Sequence, residues 1–295
     1  PVCVTPAAYI DKCLEYAKKD NCVVLTFGDM IKVPGRNGSF AESKGDGVNV
    51  EVMYSPFETV EKAGKNPETT YVVAAVGFET TAPAYALMLE EAHRRDIKNI
   101  KLVTALKTVI PALEWICENQ QDIDGFICPG HVSVIIGSDA YRGLADRYHK
   151  PFVVAGFEGE HILAVIYDIV RQIEAGESQV RNYYTNAVKP EGNLKALEVI
   201  DKYFEAGSAV WRGLGPIADS GIYLREEYRN YDGGSFGLDE DIELPKACRC
   251  GDVIVGRINP DECPMFGKSC NPLEPYGPCM VSAEGACGIW YRNGR

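Results

Sequence analysis

The sequence predicts an α/β protein: two Rossmann-like units on parallel sheets, then a largely irregular C-terminal region rich in cysteine. Three observations lead there. Short, nearly all-apolar runs of strand length alternate with segments of helical period, and such alternation builds parallel sheets with right-handed crossovers. Polar, glycine-containing motifs follow the strands, at the carboxyl ends where open α/β sheets bind ligands. After Gly176 the alternation fades, and six of the eleven cysteines crowd between Cys248 and Cys287. A length of 295 residues accommodates roughly two domains. We place them at residues 1–66 and 67–180, with residues 181–295 as the cysteine-bearing region.

In chain order, Thr5-Pro6 opens the first helix as N-cap and N1. That helix runs to about residue 19, with Ile10, Cys13 and Leu14 on one face. Residues 22–27 are a buried strand bounded by Asp20-Asn21 and Gly28-Asp29. Residues 33–47, rich in Gly, Ser and charge, read as a loop. Residues 48–53 are a second strand, and Ser55-Pro56-Phe57-Glu58 is a capping box that starts a helix. The strand at 71–76 ends in Gly77-Phe78-Glu79-Thr80-Thr81-Ala82-Pro83, and a helix follows over 84–94. A strand at 101–105 precedes a helix over 111–117. The strand at 125–128 closes on Cys128-Pro129-Gly130-His131, and residues 138–149 read as a helix. The strand at 152–155 ends in Gly156-Phe157-Glu158. Residues 161–175 form an amphipathic helix stopped by Gly176 at C′. Gly-Phe-Glu thus follows two different strands, a hint of two related halves. Residues 193–204 are a last helix, and the sequence from Trp211 onward reads as irregular.

The closing segment has too little periodic apolar character to hold itself together, and a bound metal centre would provide the missing folding free energy. Thiolates are soft ligands for iron–sulfur clusters, zinc and copper(I). Zinc sites usually show two tight cysteine pairs, whereas here only Cys248-Arg249-Cys250 is tight. Fourteen residues separate Cys248 from Cys263, six separate Cys263 from Cys270, and sixteen separate Cys270 from Cys287. A cuboidal cluster tolerates this, because it needs only four thiolates converging from loops. Pro264, Gly267, Pro278 and Gly285 provide the turns. The pattern favours iron–sulfur over zinc, and both over disulfides.

Composition narrows the partners. A net charge of −12 argues against nucleic acid and anionic membranes. No apolar run approaches the roughly 20 residues of a membrane span. Eleven cysteines concentrated at one end are unlike a small secreted disulfide scaffold, so the cytoplasm is the expected compartment.

Outside the closing segment, several residues carry potential chemistry. Cys3 precedes a helix N-terminus, where the dipole favours the thiolate, though the position also suits a small buried residue. Glu79, Thr80 and Thr81 begin a helix, where backbone N–H groups attract anions. The same residues also read as an N-cap with an acid in the first turn. His131, beyond a strand end, reads either as a structural hydrogen-bonder or as a cleft residue. Asp29 suits a cap or a cleft acid, and Cys13, Cys22, Cys117 and Cys128 read as core.

Together these residues resemble one family, the [NiFe]-hydrogenase maturation factor HypD, over essentially the whole chain. The carriers are Pro1-Val2-Cys3-Val4-Thr5-Pro6, Phe27-Gly28-Asp29-Met30, Val33-Pro34-Gly35 and Gly77 to Pro83. Gly130-His131-Val132-Ser133, Trp211-Arg212-Gly213-Leu214-Gly215, Cys263-Pro264-Met265-Phe266-Gly267 and Val281-Ser282-Ala283-Glu284-Gly285-Ala286-Cys287 complete the set.

The resemblance implies a metallocentre-assembly scaffold with redox activity rather than a standalone enzyme. With HypC and HypE it would build the Fe(CN)2CO unit of the hydrogenase, holding iron transiently with its cyanide and carbonyl ligands. It implies a [4Fe-4S] cluster on Cys248, Cys263, Cys270 and Cys287, with Cys250 competing for the place of Cys248 and Cys279 a bystander. Cys3, Glu79, Thr80, Thr81 and His131 would line the assembly site, and the cluster would relay electrons toward Cys3. Cys3 matches the second cysteine of a Cys-Pro-Val-Cys pair. The first, and an upstream Cys-Gly-Gly-Gln-Thr-His motif, would fall before Pro1, leaving the expectation of a chain without its principal iron-binding cysteine. Two other readings compete: an iron–sulfur enzyme acting on a small molecule in an inter-domain cleft, and a zinc-stabilised binding module.

Overall fold

The computed structural model describes residues 1–238 and 246–294. In chain order the strands are β1 (Cys22–Thr26), β2 (Val50–Val52), β3 (Thr70–Gly77), β4 (Ile100–Lys107), β5 (Phe126–Pro129), β6 (Phe152–Ala155), β7 (Val180–Asn182), β8 (Phe204–Trp211) and β9 (Gly215–Leu224). The helices are α1 (Ala7–Ala17), α2 (Phe40–Ser43), α3 (Phe57–Lys65), α4 (Ala82–Arg94), α5 (Val109–Asn119) and α6 (Gly130–Ile136), then α7 (Arg142–Tyr148), α8 (Gly159–Ala175) and α9 (Leu194–Tyr203). Short helices α10 (Cys250–Ile254), α11 (Pro278–Val281) and α12 (Ala286–Arg292) carry the closing cysteines. The α/β class is as expected. Among the described residues no helix is long and apolar enough to cross a membrane.

The chain divides into two compact units that do not follow each other serially. The first takes Pro1–Gly77, Ala84–Lys107 and Tyr203–Arg295; the second takes Phe78–Pro83 and Thr108–Lys202. The boundaries expected at residues 66 and 180 cut across this division. The reason is sheet pairing. The six-stranded sheet runs β2-β1-β3-β4-β9-β8, so β4 and the late hairpin β8–β9 join the strands of the first seventy-seven residues.

In the first unit β1 to β4 are parallel, and β4 pairs antiparallel with β9. β3 is a continuous apolar run, buried along nearly all its length as a central parallel strand should be. α1 lays Tyr9, Ile10, Cys13 and Leu14 against Val24, Val72, Ala74 and Val76. The Tyr9 hydroxyl donates to the Val103 carbonyl at 3.1 Å, so the ring packs and its polar end is satisfied.

Two expectations fail here for local reasons. Residues 33–47 contain α2, capped reciprocally by Ser39 and Glu42. The region after residue 204, read as ending in irregular chain, is the long hairpin β8–β9. Its Gly, Ser and Pro residues mask strand character, a bulge lies between Gly207 and Ala209, and the pairing edge comes from β4, distant in sequence. The turn uses Gly213 at φ 82° and Gly215 at φ 89°.

The second unit is a parallel three-stranded sheet, β5-β6-β7. Phe126 stacks on Phe152 at 4.6 Å beneath Tyr141 and Leu144. α8 covers Val153 and Ala155 with Val165 and Ile169. Asp168, buried on α8, accepts from Arg181 at 2.9 Å, Gln172 at 3.0 Å and Arg171 at 3.3 Å. α6 and β7 escaped the sequence reading, because each is too short to show a period.

Candidate metal centre

The closing segment folds onto the first unit through tight backbone contacts. A Cβ at Gly251 would meet the Gly213 carbonyl oxygen at 2.5 Å, so α10 lies directly on the β8–β9 turn. Arg212, buried beside that turn, gives its backbone N–H to Val4 at 2.9 Å and its Nη1 to the Pro34 carbonyl at 2.8 Å. Arg212 therefore ties the β8–β9 turn to the Val2–Val4 turn and the Val33-Pro34-Gly35 motif, and the cysteine segment packs on the same turn through Gly251 and Gly213. A Cβ at Gly285 would lie 2.2 Å from the Cys279 carbonyl oxygen, which lets α11 and α12 turn back sharply on one another.

The result is a small hollow lined by Cys248, Cys250, Cys263, Cys270, Cys279 and Cys287. Val253, Met265, Phe266 and Met280 make the rest of its wall apolar. All four expected ligands thus reach one place, together with Cys250 and Cys279. Among the described residues no three His, Cys, Asp or Glu side chains close on a point as they do around a single ion. Six thiols on an apolar wall are the donor type that iron–sulfur clusters take, and such a cluster needs four of them.

Cys279, expected to stand aside, is the hub of this group. Its sulfur accepts thiol hydrogen bonds from Cys250, Cys287 and Cys3, and the Cys287 backbone N–H at 3.4 Å. These donors lower the Cys279 thiol from its ordinary range. For Cys3, Cys250 and Cys287 the hydrogen bond to Cys279, followed by burial, pushes the thiol well above its ordinary range. Cys248 and Cys270 are raised chiefly by burial. Against that, Cys248 accepts the Cys250 backbone N–H, and Cys270 accepts those of Tyr276 and Gly277. The Cys263 thiol lies 3.9 Å from the Ala247 carbonyl.

The sulfurs form one connected set. Cys248 lies near Cys263, Cys270 and Arg212, and Cys250 near Cys279, Cys248 and Cys287. Cys287 faces Cys279, Cys270 and Cys263. Cys3, on the turn before α1, lies against α11 and adds a seventh sulfur through Cys279.

The other expected site residues belong to the second unit. Glu79 is 7% exposed; its Oε1 accepts the Val109 N–H at the start of α5, at 2.8 Å. Its Oε2 is buried without a hydrogen-bond partner, and burial pushes the carboxyl up to about 7. The Glu79 carboxyl thus caps the start of α5, whereas the expectation concerned the helix that residues 79–81 precede, α4. Thr80 is exposed, and the Thr81 backbone N–H donates to Phe78 at 3.0 Å. His131, at the start of α6, is exposed with its ring 4.3 Å from that of Phe157. The two Gly-Phe-Glu motifs diverge in environment: Glu158 is exposed and sits 3.1 Å from His161, unlike buried Glu79. Asp29 is exposed on its turn, and Cys128 is buried and raised by burial. Cys13 is likewise buried and pushed up to about 12.

Sequence reasoning gave no role to Cys279 and none beyond motif membership to Arg212. A signal for the first existed in Cys279 and Cys287 flanking Gly285, eight residues apart on two short helices.

Comparison with known proteins followed. The sequence profile of HypD, described as the hydrogenase formation hypA family, matches residues 1–294. The chain is similar to the hydrogenase maturation factor HypD of Escherichia coli strain K12: 40% identical over 297 residues, covering 99% of this chain and 79% of that protein. The HypD of Azotobacter vinelandii is 39% identical over 305 residues, covering 100% of this chain and 80% of that protein. The HypD of Rhodobacter capsulatus is 38% identical over 302 residues, with the same coverage.

Proposed function

Because the chain belongs to the HypD family of hydrogenase formation and maturation factors, we propose that it is a redox scaffold for assembling the hydrogenase Fe(CN)2CO unit, working with HypC and HypE. Iron with its cyanide and carbonyl ligands is the cargo. The observation that carries the redox part is the Cys279 sulfur, which touches Cys3 on one side and the six-cysteine hollow on the other.

In this reading Cys248, Cys263, Cys270 and Cys287 hold a [4Fe-4S] cluster. The apolar wall and the meeting of these four cysteines in one hollow support that assignment, with Cys250 the competitor for the place of Cys248. When bound, the cluster supplies electrons one at a time. The remaining thiols do the exchange chemistry. Cys279, whose thiol is lowered by the donors around it, is the one that yields the reactive thiolate in this reading. It attacks the sulfur of an oxidised Cys3, forming a Cys3–Cys279 disulfide and expelling the former partner of Cys3 as a thiolate. Cys250, in contact with Cys279, then loses its proton and attacks Cys279, releasing Cys3 as a thiolate and leaving a Cys250–Cys279 disulfide. Two electrons and two protons return that pair to thiols. The bond count is conserved at each exchange, and the net result is a reduced Cys3.

The test is anaerobic purification with iron and acid-labile sulfide analysis, then infrared spectroscopy of the full-length chain with HypC and HypE. Cys263→Ala should lose most of its iron. Cys279→Ala should keep iron and sulfide but lose exchange with a disulfide peptide. Iron-replete protein that never shows cyanide and carbonyl stretches with these partners would remove the scaffold reading. Equal exchange in Cys279→Ala would remove the relay.

A further inference from the structure

The second unit carries a surface that this chemistry does not use. α8 buries one face, where Val165, Asp168 and Gln172 are covered and Ile169 packs on the sheet. Its opposite face is also apolar. Leu163 is 70% exposed, Tyr167 71%, and Ile166, Val170 and Ile173 lie between 43% and 48%. Residues 163, 166, 170 and 173 follow the three–four spacing of a and d positions in a heptad repeat, with Tyr167 beside them. They form a stripe about 100° wide, the width an amphipathic helix normally turns toward a core. Isolated exposed apolar side chains are ordinary, but a contiguous stripe over three turns marks an interaction site.

The spacing indicates the shape of the occupant. An a/d seam is complementary to another helix with the same repeat, whose side chains enter the holes between these residues. Charge indicates its chemistry. Glu160 and Glu174 occupy equivalent heptad positions at the two ends of the seam; both are exposed, and neither has an ion pair among the described residues. The neighbouring cation, Arg171, is held by Asp168 at 3.3 Å and Glu177 at 3.5 Å. A second copy packed antiparallel about a two-fold axis would bring Glu160 of one chain against Glu174 of the other, a like-charge clash.

We propose that the outer face of α8 is a docking site for an amphipathic helix of another protein, apolar along its seam and lined with lysine or arginine at its edges. The inference stands independently of the metal centre.

The test uses the full chain and two fluorescent synthetic helices of about four heptads each. Both have leucine at a and d; one carries lysine at the edges, the other glutamate. Anisotropy should show the lysine helix binding at least ~10-fold more tightly, with the preference shrinking at high salt. The exposed, charge-neutral double variant Ile166→Ser/Val170→Ser should weaken that binding at least ~10-fold with an unchanged melting curve. Leu87→Ser, at an exposed leucine on α4, should change nothing. Equal binding of the two peptides, no binding of either, or binding indifferent to the double variant would overturn the proposal. So would self-association in sedimentation experiments that the double variant abolishes, because the occupant would then be a second copy.

Discussion

Replacing Glu79 by glutamine removes a charge from a buried slot and leaves an acceptor for the Val109 N–H. The carboxyl has one oxygen on that N–H and the other buried without a partner. Burial is the dominant influence and raises it from 4.5 to about 7, against the pull of the Val109 and Glu79 backbone N–H groups. The folded state therefore keeps a proton that the unfolded chain has already released. Stability from this group is present below pH 4.5 and falls as pH rises toward 7. At about 1.4 kcal/mol per pH unit, the loss is roughly 3 kcal/mol by pH 8. Glutamine cannot ionise, so the variant escapes this loss. It gives up roughly 1–2 kcal/mol at all pH values for burying an amide NH2 where Oε2 sits. Urea unfolding at pH 5 and pH 8 should show wild type losing about 2.5 kcal/mol more than Glu79→Gln between the two, part of the loss having already occurred by pH 5. Hydrogen exchange over residues 109–119 would locate the effect at α5. Parallel pH profiles for the two proteins would refute the reasoning, because they would mean that the carboxylate is solvated or paired.

Two further predictions test the packing. Gly285→Ala places a Cβ 2.2 Å from a backbone oxygen, so α11 and α12 must part. The expected cost is about 1–3 kcal/mol, with reduced iron retention, read by thermal melting and metal analysis. Gly45→Ala, where nothing lies within 4 Å, is the neutral control. Asp168→Asn leaves Arg171 and Arg181 without their buried carboxylate. Both arginines are about one-third exposed, so the cost in urea unfolding should be about 1–2 kcal/mol rather than the larger figure for a fully buried pair.

The candidate site was legible in part. Cys248, Cys263, Cys270 and Cys287 could be picked out together, and all four line one hollow. The role of Cys279 was not legible, because spacing along the chain reports only on neighbours in sequence. Its contact with Cys3 joins residues at opposite ends of the polypeptide. Glu79 was legible as a helix-start residue, but its partner, Val109 at the head of α5, lies thirty residues away. The hairpin β8–β9 was missed for a similar reason: its strands become strands by pairing with β4.

What the sequence determined by itself is local. Apolar runs and helical periods specify β1, β3, β4, β6 and α8, since strand and helix follow from side-chain spacing and burial of one face. Soft, closely grouped thiols point to metal chemistry, since ligand type is a property of the residue. Only the tertiary structure decided the grouping: which sulfurs share one hollow, that Cys279 meets Cys3, Cys250 and Cys287, and that α8 leaves an apolar face in solvent. Those outcomes depend on chain reversals at close backbone contacts, Gly285 on Cys279 and Gly251 on Gly213. A pKa or an exposed stripe is set by every atom that folding brings near, and no window of sequence contains them all.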